Sequence, residues 1–182
     1  MRQKFVIVSK GKVLSLANPV VMGILNVTPD SFFDGGKYHN VDAATAYAKQ
    51  MIEDGASIID IGGYSTRHGA DEVPIDVELS RVIPVIAHCK SAFPNTMISI
   101  DTFRAAVAEA AVAAGADIIN DVSGGQADSL MYDCVASLRV PYILMHSRGN
   151  PKTMQQLNQY NDLLIDLIDF FSQKIKLLRE KG

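Results

Sequence analysis

Gly55-Ala-Ser-Ile-Ile-Asp60 returns 60 residues later as Gly115-Ala-Asp-Ile-Ile-Asn120. Each copy places a glycine after a helical pattern and a short β-branched run behind it, which is typical of a helix that leads into a buried strand. Sixty residues correspond to two strand and helix units of about 30 residues each. The repeat therefore predicts an α/β fold in which parallel strands alternate with helices.

Five apolar runs fit buried parallel strands, because their hydrophobic residues are continuous rather than alternating. These runs are Val20–Val27, Ser57–Ile61, Met97–Asp101, Asp117–Asp121 and Tyr142–Met145. Helical periodicity follows each run and predicts helices at Asp42–Asp54, Asp76–Ala92, Phe103–Ala114, Asp128–Leu138 and Asn158–Glu180. Before the first run, Phe5–Val8 and Val13–Leu16 flank Lys10-Gly11 and predict a β-hairpin.

The order of these elements favours a barrel of the TIM (β/α)8 type. No G-x-G-x-x-G motif follows the first strand, which argues against a doubly wound sheet. Eight units of this size with the hairpin would need roughly 260 residues. The chain has 182 residues. We therefore expect residues 1–182 to form a partial barrel, truncated to about five βα units above an N-terminal hairpin, with three C-terminal units absent.

Composition describes a globular chain without a nucleic-acid surface. The sequence is 48% hydrophobic, carries a net charge of −3 and has no clusters of Lys and Arg, whereas phosphate binding requires concentrated positive charge. No apolar stretch reaches the roughly 18 to 20 residues of a membrane span, and no signal-peptide pattern opens the chain. We expect a cytoplasmic protein with neither nucleic-acid nor membrane partners, in which Cys89 and Cys134 are free thiols.

Polar residues end the predicted strands, at the edge where parallel barrels place their chemistry. These residues are Asn26, Asp60, Asp101 and Asn120, with Met145 and His146 at the fifth strand. Asn26 offers an oxygen of the kind that Mg²⁺ binds, or it can cap the backbone of the next loop. Asp101 can accept hydrogen bonds from a ligand or cap the following helix, and Asn120 can contact a ligand or join an interior network with Asp121.

Two glycine-containing loops follow the first two predicted strands. Val27–Asn40 contains Phe32 and Phe33, which suit either an aromatic ligand or packing on a neighbouring loop. Gly62-Gly-Tyr-Ser-Thr66-Arg67 combines flexible backbone with two hydroxyls and a guanidinium, and can therefore grip a phosphate. Loops of this composition are common, so the second pattern is weak evidence when taken alone.

These motifs follow the order found in dihydropteroate synthases, which the chain resembles over essentially its whole length. The resemblance is carried by Met22 to Gly36, Ser65 to Arg67, Asp101, Asn120 and Tyr142 to Met154. It implies the condensation of 6-hydroxymethyl-7,8-dihydropterin pyrophosphate with para-aminobenzoate, which gives 7,8-dihydropteroate and pyrophosphate. For the full-length form it implies a homodimer.

The same resemblance implies roles for individual residues. Asn26 is expected to bind Mg²⁺, and Asp101 is the expected catalytic group because its carboxylate can support positive charge on the pterin methylene. The expected substrate-binding residues are Thr66, Arg67, Asp101, Asn120, Met145 and Phe32. His68 stands where the family commonly has proline, and this departure bears on the shape of the aminobenzoate pocket.

The family also draws pocket residues from its sixth, seventh and eighth strands, which the predicted elements do not include. We therefore expect the 182-residue chain to be inactive on its own. Two alternatives share the pterin-binding residues. One is a related barrel that transfers methyl groups to a corrinoid protein, and the other is a truncated pterin-binding fragment without catalysis. Release of pyrophosphate on turnover distinguishes the synthase from both.

Overall fold

The described residues form a five-stranded parallel sheet, five helices and a separate β-hairpin. A computed structural model describes residues 5–28, 37–64, 72–149, 153 and 156–182. The strands are β1 (Val6–Ser9), β2 (Lys12–Ser15), β3 (Val21–Asn26), β4 (Ala56–Gly62), β5 (Met97–Asp101), β6 (Ile118–Asp121) and β7 (Tyr142–Leu144). The helices are α1 (Lys37–Glu53), α2 (Ile75–Ala92), α3 (Ala105–Ala114), α4 (Met131–Leu138) and α5 (Leu163–Lys181).

The strands lie side by side in the order in which they occur along the chain. The sheet order is β3-β4-β5-β6-β7, and every neighbouring pair is parallel. A doubly wound sheet reverses its strand order at a switch point, and no reversal occurs here. The predicted α/β class and alternating order are confirmed, and the described sheet is open rather than closed into a barrel.

Alternate residues of the strands face two different layers. Leu25, Ile59 and Ile100 point to one side, where they pack with helix residues in the main core. Ile58, Met97 and Ile118 point to the other side and pack with hairpin residues Ile7 and Leu14. The helices therefore cover one face of the sheet, while the hairpin covers the lower part of the other face.

Several predicted helix boundaries are wrong, because local capping signals are used differently from what the sequence suggests. α1 begins at Lys37, so Asp42 lies inside the helix and does not cap it. α3 begins at Ala105, whose backbone N–H donates to Asp128 Oδ2 at 2.8 Å. The carboxylate that satisfies the start of α3 thus comes from a later loop, and the interpretation of Asp101 as its cap is wrong.

The two cysteines lie at different depths in the fold. Cys89 is buried and Cys134 is half-buried, and both are free as expected. Burial raises the pKa of the Cys89 thiol to about 11, which makes it an unreactive core residue.

Within the described parts of the chain, no helix has the combination of length and apolarity that crossing a membrane requires.

The hairpin is held to the lower end of the sheet by a buried carboxylate. Asp117 is fully buried and accepts hydrogen bonds from Lys90 Nζ at 2.8 and 2.9 Å, from Lys12 Nζ at 3.2 Å and from the Ile98 N–H at 3.0 Å. Lys12 belongs to β2, so this cluster joins the hairpin to the parallel sheet. Burial alone would raise the pKa of Asp117, but these donors lower it below its ordinary value.

Asp117→Asn is expected to destabilise the fold by about 2 kcal/mol at pH 7, because two partly exposed lysines lose their shared buried counter-ion. A carboxyl whose pKa is lowered by folding stabilises the protein above its unfolded pKa of about 4, and this contribution is lost as the pH falls through its folded pKa. Urea unfolding at pH 7 and at pH 3 should therefore show a difference between variant and parent that shrinks on acidification. Glu53→Gln, which removes an exposed ion pair with Lys49, is the control and should change little at either pH.

Candidate active site

Four strands reach the same edge of the sheet, and their register brings one residue from each strand side by side there. Asn26 pairs with Gly62, Gly62 pairs with Asp101, and Asp101 pairs with Asn120. Paired residues of parallel strands face the same side, so these positions form one row on the face that the helices leave uncovered. The structure thus brings together Asn26, Asp101 and Asn120, three of the residues selected from the sequence.

Gly62 keeps the space between Asn26 and Asp101 open. A β-carbon placed on Gly62 would lie 3.3 Å from Asp101 Oδ2 and 3.5 Å from Asn26 Oδ1. Two side-chain oxygens therefore approach the same point from neighbouring strands. Such an arrangement suits a ligand that donates hydrogen bonds, or a hard cation that takes oxygen ligands.

Asp101 lies in a strongly acidic environment. Burial, together with the negative charges of Asp60, Glu78 and Asp121, raises the pKa of Asp101 to about 7. At neutral pH its carboxyl group is therefore divided between the protonated and ionised forms. A bound cation, or a ligand that develops positive charge, would favour the ionised form, so the group is suited to respond to the charge of its ligand.

Asp60 lies two residues before Gly62 on β4, and not at the end of the strand, where the sequence predicted it. β4 continues to Gly62, and Asp60 pairs with Ser99 instead of ending the strand. Asp60 is 3% exposed, and its Oδ2 accepts a hydrogen bond from Asn120 Nδ2 at 2.9 Å. Burial raises the pKa of Asp60, while the neighbouring Ser99 hydroxyl and the hydrogen bond from Asn120 oppose the rise. Across the described residues, Asp60 Oδ1 and Ser99 Oγ are the buried side-chain oxygens without a hydrogen bond.

A second buried cluster supports the loop that follows β4. Glu78 is fully buried and accepts hydrogen bonds from Thr102 Oγ1 at 2.8 Å and from Arg104 Nη1 at 2.7 Å. The Arg104 guanidinium lies 5.1 Å from the Tyr64 ring centre and 5.2 Å from that of Phe103, within cation–π range. This cluster was not predicted, since nothing local in the sequence marks Glu78 or Arg104 as partners.

The glycines at the start of the same loop have a packing role. A β-carbon on Gly63 would lie 2.7 Å from Val82 Cγ1 and 3.2 Å from the Glu78 carbonyl oxygen. Arg81 Nη1 also donates to the Gly63 carbonyl oxygen at 2.9 Å. Gly63 therefore allows α2 to approach the end of β4 closely, which is a different requirement from the flexible backbone that the sequence suggested.

Met145 is the predicted site residue at the fifth strand of the parallel sheet. It directly follows β7, the strand next to β6, and is 39% exposed. Asp121 is buried and accepts hydrogen bonds from Tyr142 Oη at 2.7 Å and from the Gly125 N–H at 2.8 Å. Asn120 and Asp121 thus each belong to a polar network, as in the alternative considered for them, but these are two separate networks among the described residues. Asn120 bonds to Asp60. Thr66, Arg67, His68, Phe32 and Phe33 lie outside the described residues.

Comparison with known proteins identifies the relatives of this chain. A family model described as pterin binding enzyme matches residues 22–182. The dihydropteroate synthase of Bacillus subtilis is 50% identical over 163 residues, which cover 90% of this chain and 54% of the relative. The chain thus spans about half the length of this curated relative.

Solved structures agree with this relationship. Xanthomonas albilineans dihydropteroate synthase with 4-aminobenzoic acid has a TM-score of 0.87 at 42% identity, and the match covers 99% of this chain and 63% of that one. The same enzyme in complex with 7,8-dihydropteroate has a TM-score of 0.82 at 40% identity, with 97% and 61% covered. Yersinia pestis dihydropteroate synthase with a sulfonamide drug has a TM-score of 0.88 at 43% identity, with 98% and 64% covered.

The family model covers nearly the whole of the described sheet, from the second residue of β3 onward. The row of Asn26, Gly62, Asp101 and Asn120 lies entirely within the matched residues. This chain belongs to the family of pterin-binding enzymes.

Proposed function

We propose that this chain is part of a dihydropteroate synthase, which condenses 6-hydroxymethyl-7,8-dihydropterin pyrophosphate with para-aminobenzoate and releases pyrophosphate. The observation that carries this proposal is the row in which Asp101 and Asn120 lie side by side at the carboxyl edge of a sheet built like those of known synthases. The X. albilineans enzyme is solved with 4-aminobenzoic acid and with 7,8-dihydropteroate, which correspond to one substrate and to the product.

The architecture that accompanies this function is the wall of a (β/α)8 barrel. Residues 1–182 would supply five of its eight βα units as one partial barrel domain, with the hairpin as a floor. The sequential parallel order supports this arrangement. So does the 63% exposure of Ile24, which shares a face with Asp60 on β3 and β4 and would be covered in a closed barrel.

Asp101 and Asn120 would hold the pterin ring. The amino-pyrimidinone edge of a pterin presents hydrogen-bond donors, which a carboxylate and an amide oxygen can accept. As pyrophosphate departs, positive charge develops on the pterin methylene, and the ionised Asp101 would stabilise that charge. Met145 would flank the ring, while Phe32, Thr66 and Arg67 would contact the aminobenzoate and pyrophosphate.

Mg²⁺ is the metal that this function implies. The described residues contain no cluster of three His, Cys, Asp or Glu side chains that could hold a metal ion. Mg²⁺ keeps several waters and uses substrate phosphates, so the exposed Asn26 Oδ1 beside the open position at Gly62 fits as its protein ligand. A bound Mg²⁺ would neutralise charge on the departing pyrophosphate.

A chimeric enzyme tests the proposed function. We expect the 182-residue chain to be inactive alone, and expect activity when it replaces the matching part of B. subtilis dihydropteroate synthase. The measurement is pyrophosphate released and 7,8-dihydropteroate formed from the two substrates. Methyl transfer from a methylated pterin to a corrinoid protein, with no pyrophosphate released from the two substrates, would favour the methyl-transferring alternative. A folded chimera that binds pterin without turnover would instead favour the non-catalytic fragment.

A cytoplasmic location and a homodimer of the complete protein belong to the same proposal. Both rest on the relationship to bacterial synthases. Inhibition by sulfonamides also belongs here, since the Y. pestis enzyme is solved with such a drug. Gel filtration with light scattering on the chimera would determine the oligomeric state, and inhibition of its turnover would determine the response to the drug.

A further inference from the structure

Asn120 is held from below by one buried carboxylate. Its Nδ2 donates to Asp60 Oδ2 at 2.9 Å, and Asp60 is 3% exposed. Within the described residues, Asp60 is the side chain to which the Asn120 amide is hydrogen-bonded. We infer that Asp60 is a positioning residue, which fixes the orientation of the Asn120 amide so that the site presents hydrogen-bond acceptors to its ligand.

The contact between Asp60 and Asn120 reaches across an intervening strand. Asp60 lies on β4 and Asn120 lies on β6, with β5 between these strands. Asp60 pairs with Ser99, one step below the row in which Asp101 pairs with Asn120. The two side chains therefore meet diagonally over β5, on the face that also carries Asp101. Ser99 pairs with Asp60, and its hydroxyl, although it completes no hydrogen bond, lies close enough to Asp60 to oppose the rise in the pKa of that carboxyl.

The chemistry of the pair selects one of the two orientations of the amide. An ionised carboxylate only accepts hydrogen bonds, whereas an amide has a donor side and an acceptor side. Turning the Asn120 amide by half a rotation would place its carbonyl oxygen against Asp60 with no proton between two acceptors. With Nδ2 directed to Asp60, Asn120 Oδ1 is left to accept hydrogen bonds elsewhere.

Asn120 Oδ1 and the Asp101 carboxylate then provide acceptors in neighbouring positions of one row. Such a pair favours a flat heterocycle whose edge carries adjacent N–H donors, and disfavours one whose edge lacks them. This step deepens the proposed function and rests on it for the class of ligand. The orientation of the amide itself is a property of the free chain, which can be measured without any ligand.

The first test follows the Asn120 side-chain NH₂ by NMR in the 182-residue chain labelled with ¹⁵N-asparagine. The signals are assigned by their loss in Asn120→Asp. In Asp60→Asn these signals should shift, and their exchange with water should become at least about tenfold faster. The reason is that an amide at position 60 can donate as well as accept, and therefore no longer fixes one orientation of the Asn120 amide. Asp54→Asn is the control, since it makes the same chemical change at an exposed carboxylate and should leave both properties unchanged. Asp60→Ser, which is too short to reach Asn120, replaces Asp60→Asn if that variant does not fold.

The second test compares the affinity of the chimeric synthase for pterin and for 4-hydroxypteridine, which lacks the 2-amino group. The parent should prefer pterin, and Asp60→Asn should reduce this preference about tenfold, the effect of one hydrogen bond. Unchanged NH₂ signals in Asp60→Asn, or an unchanged preference for pterin, would overturn the inference. A folded parent chimera that binds no pterin would count against the proposed function, while the NMR measurement would still decide the role of Asp60.

Discussion

Asp101→Asn is expected to lower the turnover of the chimeric synthase by about 100-fold or more, while making the fold more stable at pH 8. The two effects have one cause. Burial and the neighbouring acidic residues raise the pKa of Asp101 to about 7, so ionising this group in the folded state is unfavourable. The same carboxylate is the proposed stabiliser of positive charge on the pterin methylene. Asparagine removes both the unfavourable charge and the stabilisation.

The pH dependence of stability gives this prediction its sign. An acid whose pKa is raised by folding destabilises the protein progressively from its unfolded pKa of about 4 up to its folded pKa, and the penalty is then constant. Asp101→Asn should therefore unfold at higher urea concentration than the parent at pH 8, by about 1 to 3 kcal/mol, and differ little at pH 4. Asp54→Asn removes an exposed carboxylate and is the control for net charge. A variant that is no more stable than the parent at pH 8 would contradict the raised pKa.

Local signals in the sequence were sufficient for the elements and for most of the row. The glycines of the repeated sequence, Gly55 and Gly115, both adopt positive φ, at 110° and 123°, directly before β4 and near the start of β6. Strand ends are marked by the change from β-branched to polar residues, and parallel register then aligns them. This is why Asn26, Asp101 and Asn120 could be placed together before the structure was known.

The same repeat led to one wrong prediction, which placed Asp60 at the end of its strand. Asp60 and Asn120 are equivalent in the repeated sequence, yet Asn120 lies in the row with Gly62, while Asp60 lies two residues lower on β4. The difference arises because β4 runs on to Gly62, which makes it longer than β6. This stagger allows the two side chains to hydrogen-bond to each other. Register between distant strands is a tertiary property, so no local pattern in the sequence could reveal the contact.

Arg104→Met is expected to be the most destabilising single change among the buried polar groups, by about 3 to 5 kcal/mol. Glu78 is fully buried, and Arg104 is the cation that it pairs with, at 2.7 Å. Without the guanidinium, Glu78 keeps one neutral donor, Thr102, which cannot compensate a buried negative charge. Methionine preserves most of the aliphatic volume, so the lost charge dominates the effect.

A double variant separates the charge from the packing. Glu78→Gln combined with Arg104→Met removes both charges, and should recover more than half of the stability lost in Arg104→Met, because a neutral amide is cheaper to bury than an unpaired carboxylate. Urea unfolding of the four species forms a complete double-mutant cycle.

Arg104 also lies over Tyr64, the last described residue before the segment that contains Thr66 and Arg67. In the chimeric synthase we therefore expect the double variant to bind substrate more weakly than the parent, even though the double variant is folded. Additive effects of the two substitutions on stability would show that Glu78 and Arg104 act independently, and an unchanged substrate affinity of the folded double variant would exclude the coupling between the loops after β4 and β5.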